Sequence, residues 1–326
     1  MGSLRRRRFL QAGGALLAAA ALPRGALALD YPARPVRVVV GFPAGGPSDI
    51  LGRLIAQWLS ERLGQPFQVE NQPGNASNIA TAAVVRAPAD GYTLLLVGPA
   101  NAINASLFDN LEFNFLRDIT PVAGLTREPL VMLVNPAVRA QNASELIDFA
   151  KANPGQIKLA LTDPGSAPHA SGELFRMMTG LDLAPVHYTG GGPAALKGTI
   201  DGQSELMFEP LSALLAPLAA GKLRALAVTS AARSRALADL AVLGDVVPGY
   251  EASAVSGIGA PKDTPPAVIA ALNNAINAAF ADKVMLGRLA DTGGSPLPGT
   301  PADFGRLMTA ETEKWAKVVK FAAAKQ

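Results

Sequence analysis

The chain has 326 residues, 49% hydrophobic and 17% charged, the composition of a globular protein long enough for two domains. It has no cysteine, which excludes disulfides, thiolate metal sites, a cysteine nucleophile and a lipid-modified amino-terminal cysteine. The net charge of +3 comes from residues 1–28, which carry Arg5, Arg6, Arg7, Arg8 and Arg24 and no acid; taking those five from 29 basic residues leaves 24 against 26 acidic, a net of −2, which gives no electrostatic footprint for nucleic acid.

Residues 1–28 read as an export signal: Arg5–Arg8 are the positive region, FLQAGGALLAAAAL the apolar one, and Ala26-Leu27-Ala28 a small-x-small cleavage site. The order Arg6, Arg7, Arg8, Phe9, Leu10 resembles a twin-arginine signal, with an ordinary secretory signal as the alternative. Either route ends in the periplasm, with cleavage after about Ala28. No later stretch approaches the ~18 uninterrupted apolar residues of a membrane span.

From Tyr31 the pattern alternates short apolar runs with helical periodicity. Val36–Phe42 predicts a buried strand; Leu51, Leu54, Ile55, Trp58, Leu59 and Leu63 predict a helix ended by Gly64. Phe67–Glu70 is a strand, Asn71–Gly74 a turn, Ile79–Arg86 a helix and Tyr92–Val97 a strand. The second half repeats this grammar. Strands are predicted at Leu130–Pro136, Ile157–Leu161, Ala184–Tyr188, Glu205–Glu209 and Leu223–Ser230. Helices alternate with them at Ser144–Gly155, capped by Ser144, then Gly172–Met178 and Pro193–Asp201. After Val255–Ala260, the runs Pro265–Phe280 and Pro301–Phe321 are helical.

Strand–helix alternation implies α/β units with mainly parallel sheets flanked by helices. The expected fold is two such lobes joined by two crossing strands, near Arg127–Leu133 and Ser253–Lys262. Residues 30–130 and 254–326 would form the first lobe and 131–253 the second. Ligands of open α/β sheets bind at the carboxyl ends of strands, here in a cleft between the lobes.

Four strand-to-helix loops would meet there. In GFPAGGPSDI, Gly41–Ile50, the glycines free the backbone to present N–H groups at a helix start, where a carboxylate or phosphate is favoured. The other reading is that Ser48 or Asp49 simply caps the helix. LTDPGSAPHASGELF, Leu161–Phe175, places Asp163, Gly165, Ser166, Ala167, His169 and Ser171 ahead of a second helix. HYTGGGPAALKG, His187–Gly198, leads from Tyr188 through three glycines to a third. VGPANAIN, Val97–Asn104, offers Pro99, Asn101 and Asn104 as a loop, one amide for a ligand and the other for a turn. Neither a dinucleotide fingerprint nor a phosphate-binding P-loop is present, and no cofactor is expected.

Catalysis and metal binding find little footing. There is no Gly-x-Ser-x-Gly elbow; Asp163, Ser166 and His169 lie in one loop, where a triad geometry is rare. His169 and His187 lack a third metal ligand. Glu209, ending a strand, is the one acid placed for a cleft, as ligand contact or as rim residue.

YPARPVRVVVGFPAGGPSDILGRLIAQWLSERLGQPFQVENQPG, DGYTLLLV, SELIDFAKANPG, SGELF, AGKLRALAVTS and ETEKWAKVVK, in this order, resemble the substrate-binding proteins of tripartite tricarboxylate transporters, the Bug-type periplasmic receptors. The likeness runs from Tyr31 to about Lys320. It implies a type II-like periplasmic-binding fold that closes on a small carboxylate as a monomer and delivers it to a membrane permease, without turnover. The loop Phe42, Ala44, Gly45, Gly46, Ser48, Asp49 would hold a carboxylate through backbone groups and ordered waters, with Gly165–His169 contributing from the second lobe. The chain departs from the family at Asn75-Ala76-Ser77, where glycine is frequent; at Pro99 and Asn101, where Thr and His are common; and at Glu209, where Asp is usual. With Asp163, these departures point to an amino or hydroxy acid rather than a tricarboxylate; di- and aromatic acids stay open. A periplasmic sensor for a signalling kinase would share the same fold and site, and a hydrolase or isomerase is the third alternative.

Overall fold

The computed structural model describes residues 31–231, 233, 237 and 239–325, so the expected export signal lies outside the described residues. In chain order the first half contains β1 (Val36–Val40), α1 (Pro47–Leu63), β2 (Phe67–Asn71), a 3-10 turn (Asn75–Ser77), α2 (Asn78–Val85), β3 (Thr93–Val97), α3 (Pro99–Leu107), α4 (Phe115–Asp118) and β4 (Ile119–Val134). Then follow α5 (Ala143–Ala152), β5 (Lys158–Leu161), α6 (Ala167–Thr179), β6 (Ala184–His187), α7 (Gly191–Ile200), β7 (Leu206–Pro210), α8 (Leu215–Ala219) and β8 (Arg224–Val228). The chain closes with β9 (Ser253–Pro261), α9 (Pro266–Ala279), α10 (Lys283–Asp291), β10 (Ser295–Pro296) and α11 (Pro301–Ala323).

The strand order β2-β1-β3-β9-β4-β7-β5-β6 makes two α/β lobes around one long strand, β4. In the first lobe β1 runs parallel to β2 and β3, and β9 is antiparallel to both β3 and β4. In the second, β5 is parallel to β6 and β7, while β4 is antiparallel to β7 and β8. The two crossing strands are therefore the antiparallel members of otherwise parallel sheets. β4 changes lobes where its pairing with β9 ends, at Pro129 opposite Ser253, and its pairing with β7 begins, at Leu130 opposite Pro210.

Strand alternation explains how β4 serves two layers. Leu130, Met132 and Val134 point into one core with α5 and α6, whereas Val131 and Leu133 face Ala195 of α7 and Leu211. In the first lobe Val36, Val38 and Val40 pack on Ile55, Leu59, Leu272 and Ile276. Val39 turns the other way, toward Ala80, Val84 and Phe304. Both faces of β1 are covered, hence its near-continuous valine run.

Four expectations are corrected. Pro99–Leu107 is helix α3, not a loop: its polar Asn and small Ala residues hide the apolar periodicity, but Pro99 sits at the first turn, where a missing N–H costs nothing. α6 starts at Ala167 rather than at Gly172, so His169 and Ser171 lie inside the helix. α5 is capped by Asn142, not Ser144: Asn142 accepts the N–H of Glu145, and the Glu145 carboxylate accepts the N–H of Gln141 at 2.8 Å. Finally, α11 does not stay with the first lobe. Phe304 and Met308 pack in the first lobe, but Trp315 and Val318 are buried in the core of the second.

Among the described residues no helix is long and apolar enough to cross a membrane.

Candidate functional site

The carboxyl ends of the parallel strands carry the predicted loops, and a chain of close contacts links them. After β1, Gly41 lies against the turn that precedes α2; a Cβ on Gly41 would fall 1.9 Å from the Ser77 hydroxyl oxygen. That turn holds three consecutive non-glycine residues in the left-handed region, Asn75, Ala76 and Ser77, with φ of 46°, 48° and 75°. Each costs about 1–2 kcal/mol, so other contacts must hold the turn. The Asn104 side-chain amide supplies one, donating to Ala76 O at 2.6 Å and to Asn78 Oδ1 at 3.1 Å. The second lobe meets the first at Gly165, φ 88°, where a Cβ would lie 2.8 Å from Asn104 Oδ1 and 3.5 Å from the Ala76 methyl. From there Asp163 Oδ2 reaches the Cβ position of Gly191, at 3.7 Å, and Glu209 Oε1 that of Gly192, at 2.3 Å.

Helix ends decide what these loops can do chemically. Helices α4, α5, α10 and α11 each start with a side chain that accepts a backbone N–H: Asn114, Asn142, Asp282 and Thr300. α8 and α9, which start at Leu214 and Pro265, have no such side chain, and neither do most of the helices that open onto the loop belt. α1, α2, α3 and α7 begin at Gly46, Ser77, Gly98 and Gly190, none with a side-chain cap on the first turn. Such turns offer free donors and a partial positive charge to an anion. α6 is the exception on the belt, since Ser166 Oγ accepts the N–H of His169 at 3.3 Å.

The first loop shows how the backbone is aimed. Neither Ser48 nor Asp49 caps α1; Gly46 holds the cap position, and Pro47 follows. Asp49 instead turns back and, 3% exposed, accepts the N–H of Gly45 at 2.9 Å, Arg53 Nε at 2.9 Å and Asn71 Nδ2 at 2.9 Å. These bonds hold its carboxyl at about 2, with the Arg53 hydrogen bond the largest cause. Asn71 also donates to Phe42 O at 3.0 Å, so the loop is clamped at both ends. Its middle, Phe42, Ala44 and Gly45, remains exposed and Ser48 half-buried.

Other predicted site residues have their side chains committed to scaffolding. Asn101 accepts Gly98 N–H and donates to Thr81 Oγ1, each at 2.8 Å. Of the two loop amides, Asn104 is the one with a buried, unpartnered oxygen, and Asn78 Nδ2 beside it is a buried, unpartnered donor. Periodicity could not separate the two asparagines; only the cap geometry of α3 does. Pro99 lines a small void of about 20 Å³ with Phe304 and Glu311 of α11. The Tyr188 hydroxyl donates to Ser204 Oγ at 3.1 Å, and its ring covers Gly198, near the far end of α7. In the α6 turn, Thr162 Oγ1 and Ser166 Oγ are 2.7 Å apart, and Ala167 is buried. His169 Nδ1 lies 2.8 Å from Thr162 O, and burial pushes its pKa down, keeping the ring neutral.

Glu209 is 7% exposed, and Oε2 is a buried oxygen with no partner. Burial first, then the neighbouring Glu128 carboxylate, raises its pKa to about 7. Glu128 is itself pushed up by burial, and its Oε1 accepts the N–H of Ser212 at 3.0 Å. Among the described residues no group of three or more His, Asp or Glu could hold a metal ion. A separate cavity of about 350 Å³, lined by Val138, Arg139, Phe149 and Ile157 among others, includes none of the predicted site residues.

Two α/β lobes sharing crossing strands, with several uncapped helix starts on the strand ends, define a solute-binding protein of the two-lobed periplasmic type. The chain belongs to the tripartite tricarboxylate transporter family receptors, whose family model matches residues 51–323. It is 36% identical over 323 residues to the protein BugT of Bordetella pertussis, covering 98% of each chain. Among solved structures it is similar to an R. palustris protein with adipate, at 35% identity and TM-score 0.79, covering 90% of this chain and 99% of that one. It is also similar to MatC of Rhodopseudomonas palustris with bound malate, at 30% identity and TM-score 0.75, covering 89% and 100%.

Proposed function

We propose that the protein is a periplasmic receptor that captures a small organic carboxylate between its lobes and hands it to the membrane subunits of a tripartite carboxylate transporter. The observation that carries this reading is the set of helices α1, α2 and α3, whose first turns lack side-chain caps in the lobe that Gly165 of the second lobe meets at Asn104 and Ala76. Charge-assisted hydrogen bonds from such donors contribute about 1.5–3 kcal/mol each, enough for a few to hold a carboxylate. The adipate and malate found in two similar proteins support the same ligand class.

In this reading the N–H groups of Ala44 and Ser48 bind one carboxylate, on either side of the Gly45 N–H that Asp49 takes, and Phe42 forms an apolar wall. Asp49 aims the loop. From the second lobe the Asp163–Ala167 turn approaches with His169 as a neutral orienting group, and Asn104 and Asn78 offer an acceptor and a donor. Asn101, Pro99 and Tyr188 act through the elements that they brace. The ligand leaves unchanged. The receptor works as a monomer after export and cleavage following about Ala28.

The test is a melting-shift screen against mono-, di- and tricarboxylates and amino, hydroxy and aromatic acids. A ligand that binds the native state alone adds about 2.7 kcal/mol at a hundredfold excess over Kd. Gly46→Leu should abolish the shift while the fold survives, since a Cβ there meets no atom closer than 3.5 Å. A screen with no stabilising acid refutes the reading. Co-purification with permease rather than kinase subunits tests delivery.

A further inference from the structure

The proposed carboxylate site accounts for the free donors, but it leaves one group of acceptors without a role. Glu209, more than nine-tenths buried, directs a carboxylate at the opening turn of α7, and its Oε2 has no partner. Glu128 lies close enough to act on it electrostatically. Ser212, whose N–H donates to Glu128 Oε1 at 3.0 Å, sets its hydroxyl beside the same carboxylate. Asp163, exposed on the neighbouring turn, adds a carboxylate beside Gly191. One pole of the site thus gathers donors from the uncapped starts of α1, α2 and α3, and at the other the acids Glu209 and Asp163 stand against the start of α7, at the Gly190–Gly192 turn. A buried carboxylate oxygen left unpaired costs far more than a paired one, so a bound group that donates to it gains what the empty site lacks. A second carboxylate placed there would meet like charge instead.

We propose that Glu209, backed by Glu128, determines specificity by receiving the distal ammonium of an ω-amino acid, and that it disfavours the diacid of the same length. This rests on the reading of the helix starts as the seat of the ligand's carboxylate. Glu209 also suits this role chemically: an ammonium partner would lower its pKa and restore the anion at neutral pH.

The experiment compares matched pairs by calorimetry: succinate with 4-aminobutanoate, glutarate with 5-aminopentanoate, adipate with 6-aminohexanoate. Wild type should bind at least one amino acid of the series tenfold or more tighter than its paired diacid. Glu209→Gln should reverse that preference, weakening the amino acid and strengthening the diacid. Glu128→Gln should shift it in the same direction by a smaller factor, and it serves in place of Glu209→Gln if that variant fails to fold. Diacids that bind wild type better than their amino counterparts overturn the assignment of Glu209 and leave the carboxylate receptor standing. Equal changes for both members of a pair in Glu209→Gln overturn it too. If no acid of the wider screen binds at all, the receptor reading falls and takes this proposal with it.

Discussion

Gly165 offers the sharpest test of the idea that ligand affinity depends on contact between the lobes. Its φ of 88° strains any side chain, and a Cβ would lie 2.8 Å from Asn104 Oδ1, with Leu107 and Ala76 at 3.4 and 3.5 Å. The last two distances are ordinary contact. Asn104 must give way, yet its amide nitrogen is tied to Ala76 O and Asn78 Oδ1, and the residue is 1% exposed. A buried, doubly bonded side chain does not yield cheaply; separating the lobes does. Gly165→Ala should therefore carry two penalties. The backbone term, about 1 kcal/mol, is present with or without ligand and lowers Tm by about 2–4 °C. The contact term, about 2 kcal/mol by analogy with overpacked cores, falls only on the closed state and weakens binding roughly thirtyfold. Gly64→Ala is the control: Gly64 has a φ of 73° and no atom within 4 Å of its Cβ position. It should lower Tm similarly and leave affinity unchanged. The assay is titration calorimetry with any acid that stabilises wild type, together with scanning calorimetry of the free proteins. Wild-type affinity in Gly165→Ala, or equal losses in both variants, refutes the argument.

Three further outcomes follow from individual contacts. Asp49→Asn removes the charge that holds Gly45, Arg53 and Asn71; with Arg53 55% exposed and its attraction screened, the loss should be about 1–2 kcal/mol at pH 7, read by urea unfolding. Because the folded pKa of about 2 lies below the ordinary 3.8, this stabilisation is present above the unfolded pKa and shrinks as pH falls toward about 2, so the gap between wild type and variant should narrow from pH 5 to pH 3. Glu209 has the opposite sign: its folded pKa of about 7 lies above the ordinary 4.5. The folded chain binds the extra proton between these values, so wild type should lose stability as pH rises from 5 to 7, and Glu209→Gln should flatten that slope in a Tm–pH profile. Thr229→Val should cost about 1–3 kcal/mol in unfolding free energy, because Thr229 Oγ1 accepts Leu130 N–H at 2.8 Å and lies 2.8 and 2.6 Å from the carbonyls of Leu130 and Ala252.

The lobes and their strands were legible because buried parallel strands leave apolar runs such as Val36–Val40, and loops such as Gly190–Gly192 mark the turns. The glycine-rich turns on which the proposed site rests were legible for the same reason. What escaped was set by tertiary contacts. α3 has no strong apolar stripe, since it packs polar Asn101 and Asn104 inward against Thr81 and Ala76. Asp49 reads as a cap from its position in the first turn, yet the distant Asn71 draws it into a clamp. The non-glycine turn Asn75–Ser77 reads as a departure from close approach, but its left-handed backbone makes that approach anyway. None of these partners is near in sequence, so no local pattern carries them.

The same long-range contacts bear on how the lobes can move. β4 and β9 are paired from Ile119 to Pro129, so they cross as one ribbon, and relative rotation is confined to the step from Pro129 to Leu130, where Thr229 clips both strands. α11 is a third connection. Its 23 residues form a rod of about 35 Å anchored by Phe304 in one lobe and Trp315 in the other. A stiff helix rooted in both lobes permits closure only about a pivot between those anchors. Glu311 lies there, accepting from Trp315 Nε1 and Lys314 Nζ at 2.9 Å each. Lys314 reaches Glu251 at 2.9 Å, and Glu251 accepts Arg127 of β4 at 2.7 Å. The ion-pair chain thus ties the pivot of the rod to the ribbon at the point where the ribbon changes lobes. Closure on a ligand is then a small rotation about one shared axis rather than a wide swing, and one added methyl, such as a Cβ at Gly165 lying 2.8 Å from Asn104 Oδ1, suffices to block it.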